Sequence, residues 1–162
     1  MKTLSEYISL NEITNIFEEL KVDDKYNYKL VEETDDYNVY FHKHLYKQKS
    51  RHSNWNNQNY ISDKVILKTI KDGFHKIEDK YNSNKLHYST NSKTAFLLYD
   101  KRKFDNLAII GFICDLDKDT AKYEICIKTA MYNDEFKAKN DSEFTTVEII
   151  LENISNLLYI EL

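Results

Sequence analysis

Residues 39–52, Val-Tyr-Phe-His-Lys-His-Leu-Tyr-Lys-Gln-Lys-Ser-Arg-His, concentrate the reactive side chains of this chain. A strand-like start carrying Val39 and Phe41 opens into a helix-compatible segment with three His, three Lys and one Arg. Imidazoles move protons near neutral pH, and fixed cations hold phosphate charge. A phosphodiester-cleaving site that works without a metal needs that mixture. The plain alternative is a solvated basic helix. Within the segment His42 is the preferred proton-transfer group. Arg51 is the preferred phosphate clamp, because its planar fork meets phosphate oxygens in pairs. His44 lies two residues on and would point to another side of a helix, and His52 adjoins Arg51, so neither pair faces one site together.

Other cations and aromatics could extend such a site. Lys47 adds charge in the same segment, and Lys101-Arg102-Lys103 form a basic loop able to touch a nucleic-acid backbone. Trp55 offers a face for base stacking, a contribution of about 1–3 kcal/mol per base where it occurs. Late in the chain stand Lys128, Thr129 and Tyr132. Strand alternation would put Lys128 and Thr129 on opposite faces. Each has a plainer role as a solvated cation, a packed aromatic or a β-forming residue. No metal site stands out: His42 and His44 lack a carboxylate pair at convincing spacing.

The elements that must position these groups are read from periodicity. Residues 3–20 read as an amphipathic helix through Leu4, Ile8, Ile13, Ile16, Phe17 and Leu20, with Glu18 and Glu19 off that stripe. Residues 26–31 and 37–41 are strands that pair as a hairpin around the acidic 32–36. Ser62 is placed to cap a second helix, about 63–80, with 82–85 as a turn. Strands follow at 94–99, 107–114 and 122–131. The middle one is apolar throughout, as a strand buried on both faces should be. Segment 143–160 fits both a helix and a strand. The sum is an α+β domain, a small antiparallel sheet with N-terminal and central helices packed on it.

Composition bounds the class. The 162 residues suit one core, and 41% hydrophobic with 14% aromatic is a globular balance. The net charge of −4 is segregated. Residues 1–36, an acidic helix and hairpin strand, hold 4 Lys against 10 acids. Residues 37–140 hold 19 Lys and Arg against 12 acids, and residues 141–162 hold 5 acids and no base. The basic middle is where a nucleic-acid footprint would lie. Cys114 and Cys126 sit in apolar runs and read as buried small hydrophobes on neighbouring strands. No apolar run approaches the roughly 20 residues that cross a bilayer, and no cleavable secretory signal opens the chain. With no disulfide framework, a reducing cytoplasm is the expected setting. Gly73 and Gly111 stand alone, so no nucleotide-cofactor fingerprint is present and no cofactor is expected.

Val39-Tyr-Phe-His42, Arg51, Ile61-Ser-Asp63 with Ile66 and Ile70, and Ile127-Lys-Thr-Ala-Met131 together resemble the barnase/EndoU/colicin-type/RelE-like nuclease superfamily, in its phage- and toxin-associated form. The resemblance covers roughly 37–135. It implies a RelE/barnase-like scaffold, metal-independent ribonuclease activity, and a catalytic set of His42, Arg51 and Thr129. Asn54-Trp55-Asn56 stands where members often carry a second Arg. More faintly, Met1-Lys-Thr-Leu-Ser-Glu-Tyr-Ile8 with Leu10-Asn-Glu12 resembles the capsid-targeting leaders of large tailed phages, which are cut after a Leu/Ile-x-Glu motif. That likeness implies packaging in a virion and delivery into a host cytoplasm.

The reading is therefore a ribonuclease acting on single-stranded RNA, with Thr129 donating to a phosphate oxygen and His44, Lys47, His52, Trp55, Lys101, Arg102, Lys103, Lys128 and Tyr132 along the RNA. Its rivals are a catalytically inert phage protein that sequesters a host protein or nucleic acid, and an internal virion component.

Overall fold

A computed structural model describes residues 10–20, 27–45, 61–85, 93–102, 107–115, 122–132, 147–154 and 157–162. The elements are α1 (Leu10–Leu20), β1 (Tyr28–Glu33), β2 (Tyr37–His42), α2 (Asp63–Lys85), β3 (Thr94–Asp100), β4 (Leu107–Asp115), β5 (Tyr123–Tyr132), α3 (Val147–Asn153) and β6 (Leu158–Glu161). The fold is α+β: one six-stranded sheet in the order β1-β2-β5-β4-β3-β6 with helices packed on it. Its pairing departs from an all-antiparallel sheet. β2 runs parallel to β5, and β3 parallel to β6. Parallel neighbours need long crossovers: the path from β2 to β5 runs through α2, β3 and β4, and that from β3 to β6 through β4, β5 and α3. The sheet draws β1 from the acidic N-terminal segment and β6 from the acidic C-terminal one.

Both faces of the sheet are covered. α2 buries Ile66, Ile70, Phe74, Ile77 and Tyr81 against Val39, Phe41, Ile109, Ile125 and Ile127. On the other face α1 contributes Ile13, Ile16, Phe17 and Leu20, and α3 contributes Val147 and Ile150, against Leu97, Ile110, Phe112 and Cys126. Each such side chain contributes about 1.5–3 kcal/mol through burial. β4, apolar along its length, lies inside the sheet with residues 107–114 all buried. Cys114 and Cys126 are thiols buried on neighbouring strands.

Local signals explain most boundaries. Ser62 caps α2, its Oγ accepting from Val65 N–H at 3.3 Å. Thr34 Oγ1 closes the β1–β2 turn by accepting from Tyr37 N–H at 3.0 Å and donating to Tyr37 O at 2.8 Å. Residues 82–85, read as a turn, instead continue α2. Tyr81 anchors that last stretch in the core, and Asn82 donates to Tyr123 Oη at 3.1 Å. Tertiary contacts there override weak local propensity. The ambiguous 143–160 divides into α3 and β6.

β5 carries an irregularity that matters for the site. Ile110 pairs with Thr129 and Gly111 with Ile127, which leaves Lys128 as an extra residue on β5. The bulge reverses the phase of the strand. Ile127 packs towards α2, but Ala130 does so too, and Met131 faces α1. Thr129 shares the face of its partner Ile110, the α1 side. Lys128 and Thr129 thus lie on one face, not on opposite faces. Gly111 permits the arrangement, since a Cβ there would collide with the Cys126 carbonyl and lie 3.2 Å from Ile127 Cα.

Candidate functional site

The parallel register Phe41↔Ile127 carries His42, at the end of β2, beside Lys128 on β5. His42 Nε2 lies 3.2 Å from Lys128 Nζ. Helix α1 adds a third group: Glu19 Oε2 sits 3.1 Å from the same ammonium. The Lys128 side chain is 5% exposed and that of Glu19 58%. The cation is therefore nearly sealed, and the carboxylate reaches it from the solvent side.

Backbone geometry fixes the imidazole. Beyond β2 the chain turns through residues 43–45, and His44 N–H donates to His42 Nδ1 at 2.9 Å. The Tyr28 ring meets the imidazole edge-on, with centroids 4.8 Å apart. With Nδ1 committed as an acceptor, neutral His42 carries its proton on Nε2. Nε2–H and the Lys128 ammonium are then two donors directed at one small region. An oxyanion is the kind of group that satisfies both.

The other expected residues fall differently. Thr129 has no accessible surface, so its hydroxyl does not reach a substrate here. His44 is exposed on the turn that holds His42. Tyr132 ends β5. Arg51, with Lys47, His52, Trp55 and Lys103, lies outside the described residues, as do residues 1–9 of the leader-like stretch. Lys101 and Arg102 follow β3, three strands away from β2 in the sheet. Arg102 donates through Nε to Asp100 Oδ1 at 3.0 Å and through Nη2 to Asp72 Oδ2 at 2.9 Å. Hydrogen bonds to Asp100, then to Asp72, push its guanidinium further above its already high range. Lys101 pairs with Glu161 at 2.8 Å. Both are fastened to this protein's own carboxylates.

Sequence reasoning missed Glu19, which it left on the outer face of α1, and Asp100, which is fully buried. Nothing local marks either one. A groove of about 410 Å³ runs between α2 and β6, lined by Asp79, Lys80, Ser83, Leu157, Leu158 and Tyr159. It is remote from His42 and has a structural explanation: Lys76 and Lys80 donate to the outward carbonyls of Glu161 and Tyr159, occupying the edge of β6. Among the described residues no cluster of three or more His, Cys, Asp or Glu is placed to hold a metal ion. No described helix is long and apolar enough to cross a membrane.

No family model matches the chain, and comparison with curated proteins and with solved structures gives no match. The chemistry must therefore be read from the side chains themselves.

Proposed function

We propose that this chain is a phage-type, metal-independent endoribonuclease with its site where β2 meets β5. The observation that carries the reading is the 3.2 Å approach of His42 Nε2 to Lys128 Nζ. That approach joins an imidazole, a proton-transfer group, to an ammonium that can hold phosphate charge. A base removes the proton of a ribose 2′-hydroxyl, and the 2′-oxygen attacks the adjacent phosphorus in line. The bond to the 5′-oxygen breaks, and that oxygen takes a proton. His42, once protonated to the imidazolium, is the acid for the leaving oxygen and returns to neutral imidazole as it gives up the Nε2 proton. Lys128 holds the non-bridging oxygens in the role first given to Thr129. His44, exposed on the same turn, lies along the RNA. Arg51, at the end of the basic segment, remains the proposed clamp. The leader-like N-terminus supports a life history in which the protein is packaged in the virion and acts in the host cytoplasm.

The test is incubation of purified protein with labelled single-stranded RNA in EDTA. The expected product carries 2′,3′-cyclic phosphate ends, and His42→Ala should reduce its formation by about 10²–10⁴-fold, the usual weight of one acid–base group. Intact RNA with the unaltered protein would overturn the reading. One observation favours the rival of an inert protein that sequesters a host protein or nucleic acid: a carboxylate already holds Lys128. That rival predicts binding without cleavage, indifferent to His42→Ala.

A further inference from the structure

We propose that Lys128 and His42 form a seat for a phosphate oxyanion, and that Glu19 of α1 occupies it as an internal competitor. The inference rests on the ribonuclease reading for its substrate but on separate observations for its geometry. Two N–H donors, Nε2 of His42 and Nζ of Lys128, converge 3.2 Å apart. A donor facing a donor is a poor contact, and an oxygen bearing negative charge relieves it by accepting from both. Lys128 meets β2 and α1 on the face that Cys126 also takes, and the β5 bulge turns Thr129 to that same face. Bulges re-aim side chains in this way next to binding sites.

Glu19 has the features of a displaceable occupant. Its carboxylate is more than half exposed while the ammonium that it meets is sealed, so the pair can open on the Glu19 side without exposing the core. Both Glu18 and Glu19 lie in the last turn of α1, and no basic residue accompanies them there. Acids at a helix C-terminus face the negative end of the helix dipole. Glu19 is offset by Lys128; a phosphate taking its place would release the carboxylate to water. The ligand class is thus a phosphodiester or phosphate oxyanion, and α1 sets its apparent affinity by the fraction of time that Glu19 leaves the seat.

The experiment compares the full chain with Glu19→Gln, Glu18→Gln and Lys128→Met in phosphate-free buffer. Two probes are titrated: inorganic phosphate, followed by NMR shifts of the His42 ring, and a single-stranded DNA oligonucleotide, which lacks the 2′-hydroxyl and cannot be cleaved. Glu19→Gln should tighten oligonucleotide binding about tenfold, as expected if the carboxylate fills the seat some nine-tenths of the time. Glu18→Gln, the same charge change one residue away, should leave affinity within about twofold, and Lys128→Met should abolish the His42 shifts. Response to the oligonucleotide alone identifies a nucleic-acid backbone as the source of the anion, and response to both identifies a general phosphate seat. Unchanged or weaker binding by Glu19→Gln, or an equal gain from Glu18→Gln, would overturn the proposal and leave Glu19 as a strut that docks α1. The two ideas fail separately: RNA cleavage with no Glu19→Gln effect sinks the seat, and tighter binding without cleavage sinks the nuclease.

Discussion

Two charged clusters flank the sheet, and they are built in opposite senses. At the end of β3 the buried partner is the acid: Asp100 has no exposed side chain and Arg102 is 48% exposed. Where β2 meets β5 the buried partner is the cation, Lys128, and the acid is outside. In the first cluster a forked guanidinium spends directed bonds on two carboxylates, and Asp100 also accepts from Arg102 N–H at 2.9 Å. That is a closed tie between β3 and α2. In the second, a point charge lies between one outer carboxylate and the ring nitrogen of a histidine. Cation density in the sequence therefore does not show which cations this protein spends on its own carboxylates. The basic loop near residues 101–103 is the more conspicuous run in sequence, yet two of its members are tied to Asp100, Asp72 and Glu161.

Gly111→Ala should break the comparison most severely. The added methyl meets strand backbone and not a flexible side chain, so either β4 parts from β5 or the bulge is lost. A destabilisation of about 3 kcal/mol is expected by chemical denaturation, at the upper end for overpacking. Any variant that still folds should lose RNA binding while keeping its Arg102 tie.

Asp100→Asn should act on the other cluster alone. It removes the buried charge that Arg102 grips and sets an amide against Nη2, costing about 2 kcal/mol by the same measurement. Cleavage by the intact fold should be unaffected. A large fall in activity with the fold retained would show that the two clusters are coupled.

The smallest expected effect is at Lys101. Its hydrogen bond, with a second from Tyr159, holds the Glu161 carboxyl below the ordinary carboxylate range. A depressed folded value means that the contribution to stability is present above that ordinary range, and is lost as pH falls through the folded value. Lys101→Ala should therefore move the Glu161 titration, followed by NMR, back up towards its ordinary value. Because both partners of this ion pair are solvent-exposed, the denaturation midpoint at neutral pH should not measurably change.

Much of the fold was legible in particular residues. The unbroken apolar run Leu107–Cys114 marked a strand covered on both sides, and β4 lies inside the sheet. Ser62 marked the start of α2, and the stripe Ile13, Ile16, Phe17 and Leu20 marked the buried face of α1. Segment 143–160 resisted because both patterns in it are real: Val147 and Ile150 bury a short helix, and Leu158 and Ile160 then alternate in a strand. Of the site, His42 was visible as an imidazole at the end of a strand pattern. The role of Lys128 was half visible, and that of Glu19 was not visible at all.

Periodicity records which side of its own helix or strand a residue occupies, because 3.6-fold and two-fold repeats are properties of one segment. The sequence by itself thus determined α1, the body of α2, the strands β1 to β5 and most of their apolar faces. Pairing between segments is a property of two chains of atoms at once. Only the tertiary structure decided that β2 lies parallel to β5 and so sets His42 beside Lys128, that Glu19 of α1 reaches the same ammonium, and that Gly111 admits a bulge that turns Thr129 to the face of Lys128. A single extra residue between hydrogen-bonded strands reverses every face after it, and no count along one strand can register that event.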